Sequence, residues 1–213
     1  RGFERDEAAL AGTLDRAPLE FSAAAKTGAP VVMNLPMPDG SQQRFRIQES
    51  PVMEPALAAR RPDLRTFIAQ GIDDPAAAMR FDRTPAGFHA MVLSPNGTVF
   101  VDPYRKNDTS TYISYYKRDY VRETGWHCDT AADPIDRAVE KLSATQATGP
   151  TLRTYRLALA CTGEYAAFHG GTVPLVEAQY VTLVNRINSV YEIDVAVRMV
   201  LVANNSSLIF TNS

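Results

Sequence analysis

The chain has 213 residues, 45% of them hydrophobic and 22% charged, which suits one large folded domain or two small ones. Lys and Arg number 22 against 24 Asp and Glu, a formal net charge of -2, so no basic footprint exists for a nucleic-acid backbone. No apolar run reaches the roughly 18 residues of a membrane-spanning helix, and aromatic and β-branched residues are too plentiful for disorder.

The opening, Arg1-Gly2-Phe3-Glu4, is neither an initiator Met nor an apolar signal segment, and the far end closes on what reads as a strand, Leu208 to Thr211. Both ends are expected to be cuts in a longer protein, because a natural domain rarely leaves a strand edge uncovered at its terminus. From Ala29 to about Tyr120 the pattern is β-rich. Val31, Val32 and Met33 lead through Pro38-Asp39-Gly40 to Phe45 and Ile47, which alternate with Arg44, Arg46 and Gln48. Pro presets φ and Gly supplies the positive φ, so this is a hairpin. A second hairpin joins Phe88–Leu93 to Thr98–Val101 across Pro95-Asn96-Gly97, with strands expected at Met79–Phe81 before it and Thr111–Tyr116 after it. Glu54 to Arg61 is a short helix that starts around Pro55 and is stopped by Pro62.

From Thr130 to about Leu152 the sequence is small, polar and unpatterned apart from Ile135 to Leu142. It reads as a linker and as a place for proteolytic processing, or else as an ordinary long interdomain loop. Beyond it Tyr155, Leu157, Leu159 and Cys161 alternate with Arg156, Ala158 and Ala160 as a strand. Thr172 is the expected N-cap of a long helix with Pro174 in its first turn and an apolar stripe of Val176, Tyr180, Leu183, Val184, Ile187 and Tyr191. Val195 to Val202 follows as a nearly continuous apolar strand, expected to be covered on both faces, and Leu208 to Phe210 as the next strand. Strand, helix, strand is a βαβ unit, whose right-handed crossover makes its strands parallel.

TYRLALACTGEYAAFHGG, the helix with VTLVNRINSVYEIDVAVRMVLVANN, and LIFTN resemble the opening of the catalytic domain of secreted bacterial reprolysin-like zinc metallopeptidases, a group of the metzincins. The stretch from FRIQESPVMEPALAARRPDLRTFIAQGIDD to MRFDRTPAGFHAMVLSPNGTVFVDPY is similar to the propeptide region that precedes that domain. The resemblance implies an α+β chain: an antiparallel-sheet propeptide domain over 1–129, a linker with the processing site over 130–152, and over 153–213 the first βαβ unit of a metzincin α/β catalytic domain. It further implies a secreted zymogen whose parent protein is a zinc metalloendopeptidase acting on protein or peptide substrates, with the propeptide serving latency and folding. The family's zinc site resembles H-E-x-x-H-x-x-G-x-x-H, in which two His share a helix face, the Glu is the general base and zinc activates the water. The three histidines of this chain, His89, His127 and His169, do not fit it. The zinc ligands are therefore expected beyond Ser213, this fragment alone is expected to be inactive, and the remainder of the catalytic domain is its expected partner.

Three readings of Cys128 stay open. A thiolate late in the propeptide would occupy the open position of the zinc at about 2.3 Å; the alternatives are an unligated thiol and a disulfide with Cys161. His127 beside it is a packing residue or a metal ligand, and His169-Gly170-Gly171 is a turn before the long helix. Glu164 with Asp194 would be a calcium pair, although nothing beyond two carboxylates supports calcium. Tyr112, Tyr115, Tyr116 and Tyr120 read as cross-strand aromatic packing rather than a stacking face for sugars or bases. The alternative to a peptidase zymogen is a non-catalytic secreted binding or inhibitor module built on a propeptide-like sheet.

Overall fold

In the computed structural model of the protein, residues 1–106, 108–121 and 151–212 are described. They form a mixed α+β structure with a large antiparallel sheet and a small parallel one. The large sheet is a meander of β2 (Val31–Pro36), β3 (Gln42–Glu49), β4 (Arg65–Gly71), β5 (Ala78–Thr84), β6 (Gly87–Leu93), β7 (Val99–Pro103) and β8 (Thr111–Tyr116). The short β1 (Gly2–Glu4) pairs with the far side of β8. Both expected hairpins are present, with Gly40 and Gly97 at φ 95° and 119° in their turns.

Alternation sends Phe45, Ile47, Phe67, Phe81, Phe88 and Tyr112 to one side of this sheet, where all are fully buried. Each such side chain stabilises the fold by about 1.5–3 kcal/mol relative to exposure. The helix α1 (Glu7–Leu14), capped by the Asp6 carboxylate, adds Leu10 and Leu14 to the same core. Just before it, Arg5 reaches from the β1 edge to Met33 of β2, so the two edges of the sheet curl toward each other. The Arg5 guanidinium lies 3.5 Å over the Phe88 ring, and burial lowers its pKa to about 10. Two short helices, α2 (Ala23–Thr27) and α3 (Pro55–Arg60), sit in the connections, α3 starting at a Pro as expected. Of the tyrosines, Tyr112 stacks on Phe3 and meets Phe88 edge-on, and Tyr115 meets Phe100 across β7 and β8.

The second unit is the expected βαβ arrangement. β9 (Arg153–Leu157) leads through α4 (Gly163–Phe168) to the 22-residue α5 (Val173–Asp194) and then β10 (Val197–Leu201), which pairs parallel with β9 from Val197↔Arg153 to Leu201↔Leu157. Thr172 is the N-cap residue and Pro174 lies in the first turn. Gly170 and Gly171 have φ 101° and 72°, the turn that lets α4 run into α5.

Three expectations are corrected. Leu208–Phe210 is not a strand: Asn205–Leu208 is a turn of 3₁₀ helix, and only Ile209 makes a bridge, to Cys161. The first strand stops at Leu157 instead of Cys161 because the Asn205 side chain takes the Leu159 N–H (2.8 Å) and donates to its carbonyl (3.2 Å), satisfying the backbone that a neighbouring strand would otherwise pair. The apolar run Val195–Val202 is not covered on both faces, since Val197, Met199 and Val200 are only half-buried and Val195 is exposed.

Candidate functional site

The chemistry-bearing side chains gather where the large sheet meets the βαβ unit. One face of α5 carries Val176, Tyr180, Val181 and Val184, which pack toward β10 through Leu201. Val52, Met53, Leu57 and Leu64, which lie between β3 and β4, belong to that same core. The backbone follows the side chains. The Leu201 N–H donates to the Val52 carbonyl (2.8 Å) and the Glu54 N–H donates to the Leu201 carbonyl (2.9 Å), so Val52–Glu54 lies along the edge of β10 that β9 leaves free. The Glu54 carboxylate seals the join, accepting from Arg156 at 2.5 Å and from the Ala203 N–H at 2.7 Å. The Arg156 hydrogen bond, the Ala203 N–H and the Arg156 charge together hold the Glu54 carboxyl below its ordinary pKa. Nearby, Arg61 bridges Asp63 and Glu177.

The opposite face of α5 is polar: Thr182, Asn185, Ser189 and Glu192, at spacings of three and four, look onto the far side of β5 and β6. There Arg80 donates to Asn185 (2.9 Å), Ser50 (3.2 Å) and Glu192 (2.5 Å). Arg198 of β10 donates to the same Glu192 oxygen at 2.5 Å and also to Glu20, which accepts from Ser50 at 2.8 Å. Two guanidiniums and two carboxylates thus neutralise one another in a buried cluster drawn from both units. Burial lowers the Arg80 pKa despite Glu192; at Arg198 burial also pulls downward, but bonds to Glu192 and Glu20 outweigh it.

Farther along the helix, Asp82 accepts from Thr182 at 2.9 Å and pairs with His89 Nδ1 at 3.0 Å, all three being buried. An ionised Asp82 places the hydrogen on Nδ1, leaving Nε2 as the free ring nitrogen. Asp102 is engaged by Arg186 and by the Tyr115 hydroxyl at 2.8 Å, and burial together with Asp102 raises the tyrosine pKa. Two of these groups, His89 and Asp102, border a cleft of about 460 Å³ between the ends of β6 and β7 and the α4–α5 turn. His89, Asp102 and His169 line it. His169 is held below its usual pKa by burial first and Lys106 second.

Cys128 and His127, like most of the expected linker, lie outside the described residues, so neither the zinc block nor the disulfide is tested. Cys161 is half-buried, its thiol 3.9 Å from the Phe210 carbonyl oxygen. Glu164 lies in the first turn of α4, whose Tyr165 ring meets Tyr180 of α5 at 6.0 Å, whereas Asp194 ends α5. The rise of α5 from Tyr180 to Asp194 is about 21 Å, so the two carboxylates are not a calcium pair. Among the described residues no group of three or more His, Cys, Asp or Glu could hold a metal ion. Sequence reasoning missed the Arg80–Glu192–Arg198–Glu20 cluster and the Asp82–His89 pair. The signal was the polar stripe on α5, which an isolated βαβ helix has no reason to bury.

No helix among the described residues is long and apolar enough to cross a membrane. Residues 151–213 match the sequence family described as metallo-peptidase family M12B, reprolysin-like. No curated protein and no solved structure shows a significant match to the chain. The family match covers the βαβ unit, which supports a reprolysin-like metallopeptidase as the source of that unit; the eight-stranded sheet lies outside the match.

Proposed function

We propose that the protein is part of the zymogen of a secreted zinc metalloendopeptidase. On this reading 1–129 are its propeptide, 130–152 the segment cut during processing, and 153–213 the first part of the catalytic domain. The observation that carries the reading is the shared core: Val52, Met53, Leu57 and Leu64 fill the apolar side of the unit to which the family match belongs. A partner that supplies core residues and an edge segment acts on folding, and one that must be removed to expose them acts on latency.

The described residues do not fit a zinc ion, and the 213 residues contain no His-Glu pair from which the family's zinc helix begins. We therefore place the zinc ligands and the general base on sequence following Ser213, and assign the present residues scaffold and propeptide roles. Cys128 remains our candidate for a thiolate held against that zinc.

The test is the peptidase precursor extended past Ser213, assayed on casein before and after cleavage between Leu142 and Arg153. Silence before the cut and hydrolysis after it support the zymogen. Equal activity before and after, or the absence of HExxHxxGxxH from the longer sequence, overturns it. Cys128→Ala in the same precursor should raise activity before the cut; joining of Cys128 to Cys161 in non-reducing peptide maps removes the thiolate block.

A further inference from the structure

We propose that the cleft between the two units binds a small carboxylate ligand bearing an apolar group, of the kind a peptide's free C-terminus presents. The cleft holds about 460 Å³, enough for such a group, and its walls come from both units. Its floor includes His89, whose Nδ1 is committed to Asp82 at 3.0 Å. Arg105 and Lys106 lie on the sheet side, and His169 closes the helix side.

The charge of these groups selects the ligand. Among the described residues Asp102 is the one carboxylate lining the cleft, and Arg186 and Tyr115 already engage it. No carboxylate among the described residues pairs with Arg105 or Lys106: Arg105 lies over the Tyr104 ring, and Lys106 donates to the Phe168 carbonyl while its Nζ lies 4.3 Å from that ring's centre. Among the described residues, then, two cationic side chains and two imidazoles face a space whose single acid is spoken for. That balance favours an anion, since a bound carboxylate gains charge-assisted hydrogen bonds without evicting an existing partner. Pro103, Leu175 and Phe168 supply apolar wall beside the cations, which an ion without an apolar group leaves unused.

An anion placed there also relieves a local conflict. Burial and, second to it, Lys106 hold His169 away from its protonated form, and a carboxylate placed between His169 and Lys106 offsets the second of these influences. Occupancy is therefore readable at His169 itself.

The experiment titrates the 213-residue chain with N-acetyl-leucine, N-acetyl-leucine amide and inorganic phosphate, following the His89 and His169 ring resonances by NMR. N-acetyl-leucine should shift both rings saturably, with the millimolar dissociation constant expected of so small a ligand, and raise the His169 pKa. Arg105→Ala with Lys106→Ala should weaken it about tenfold or more while lowering the melting temperature of the free chain only slightly, both residues being exposed and Lys106 losing its contact with Phe168. The amide should bind at least about tenfold more weakly, and phosphate should be weaker than N-acetyl-leucine. Equal binding of the amide, equal binding of phosphate, or unshifted histidine resonances at saturating ligand each overturns the proposal.

Discussion

Arg80 on β5 and Glu192 on α5 form an ion pair of 2.5 Å across the junction of the two units, with side-chain exposures of 3% and 17%. Removing Arg80 leaves Glu192 and Glu20 to share the single guanidinium of Arg198, an uncompensated charge in a largely buried cluster, and breaking a buried pair costs about 3–5 kcal/mol. Arg80→Met should therefore lower the denaturant midpoint far more than a surface substitution does. A double-mutant cycle with Glu192→Gln should return a coupling of about 1–3 kcal/mol. Additive single effects would show that the pair links nothing.

Leu57 tests whether the core is shared. It is 2% exposed, on α3 of the sheet unit, yet it packs among residues of α5 and β10. Leu57→Ala should cost about 2–5 kcal/mol, and hydrogen exchange should accelerate in α5 and β10 as well as around α3. Faster exchange confined to residues near α3 would argue that the βαβ unit stands alone.

The Glu54 carboxylate gives the junction a pH dependence. Its pKa is depressed in the folded state by Arg156 and the Ala203 N–H, so its contribution is present above the unfolded carboxylate value and lost as pH falls through the lower folded value. Protection of the Leu201 and Ala203 amides, expressed as protection factors, should fall as pH drops below the ordinary carboxylate range. Glu54→Gln should flatten that dependence. The same slope in both proteins would assign it to other carboxylates.

Thr182 should matter through Asp82. Its hydroxyl donates at 2.9 Å to a carboxylate that is 1% exposed. Thr182→Val keeps the shape and removes the donor, so it should destabilise the chain by about 1.5–3 kcal/mol, the worth of a hydrogen bond to a charged group. Thermal denaturation showing no loss would mean that His89 alone satisfies Asp82.

Much of this arrangement was legible because the local chemistry was unambiguous. Pro38-Asp39-Gly40 and Pro95-Asn96-Gly97 set two hairpins, and Thr172-Val173-Pro174 starts the long helix where it is found. β4 was not read because Arg65–Gly71 does not alternate: Thr66 and Phe67 are both buried, on opposite faces of a strand with neighbours on either side. α1 escaped notice because its Ala-rich sequence has little amphipathic pattern, and only Asp6 marks its start. On α5, Leu183 and Tyr191 of the expected stripe stand exposed, since two faces of that helix are occupied and the polar one required the sheet to be visible. Arg80 and Glu192 are 112 residues apart, a pairing that periodicity does not encode.

The central claim is that the β3–β4 connection of the sheet unit completes the core of the βαβ unit, so that the two units depend on each other. Nicking the intact chain within 130–152 and passing it through size exclusion at micromolar concentration tests this most directly, with hydrogen exchange on the eluted species. The account predicts that both fragments co-elute with β10 and α5 still protected, and that protection is lost once mild denaturant separates them. Fragments that part at once, with 153–213 keeping its protection alone, would contradict it.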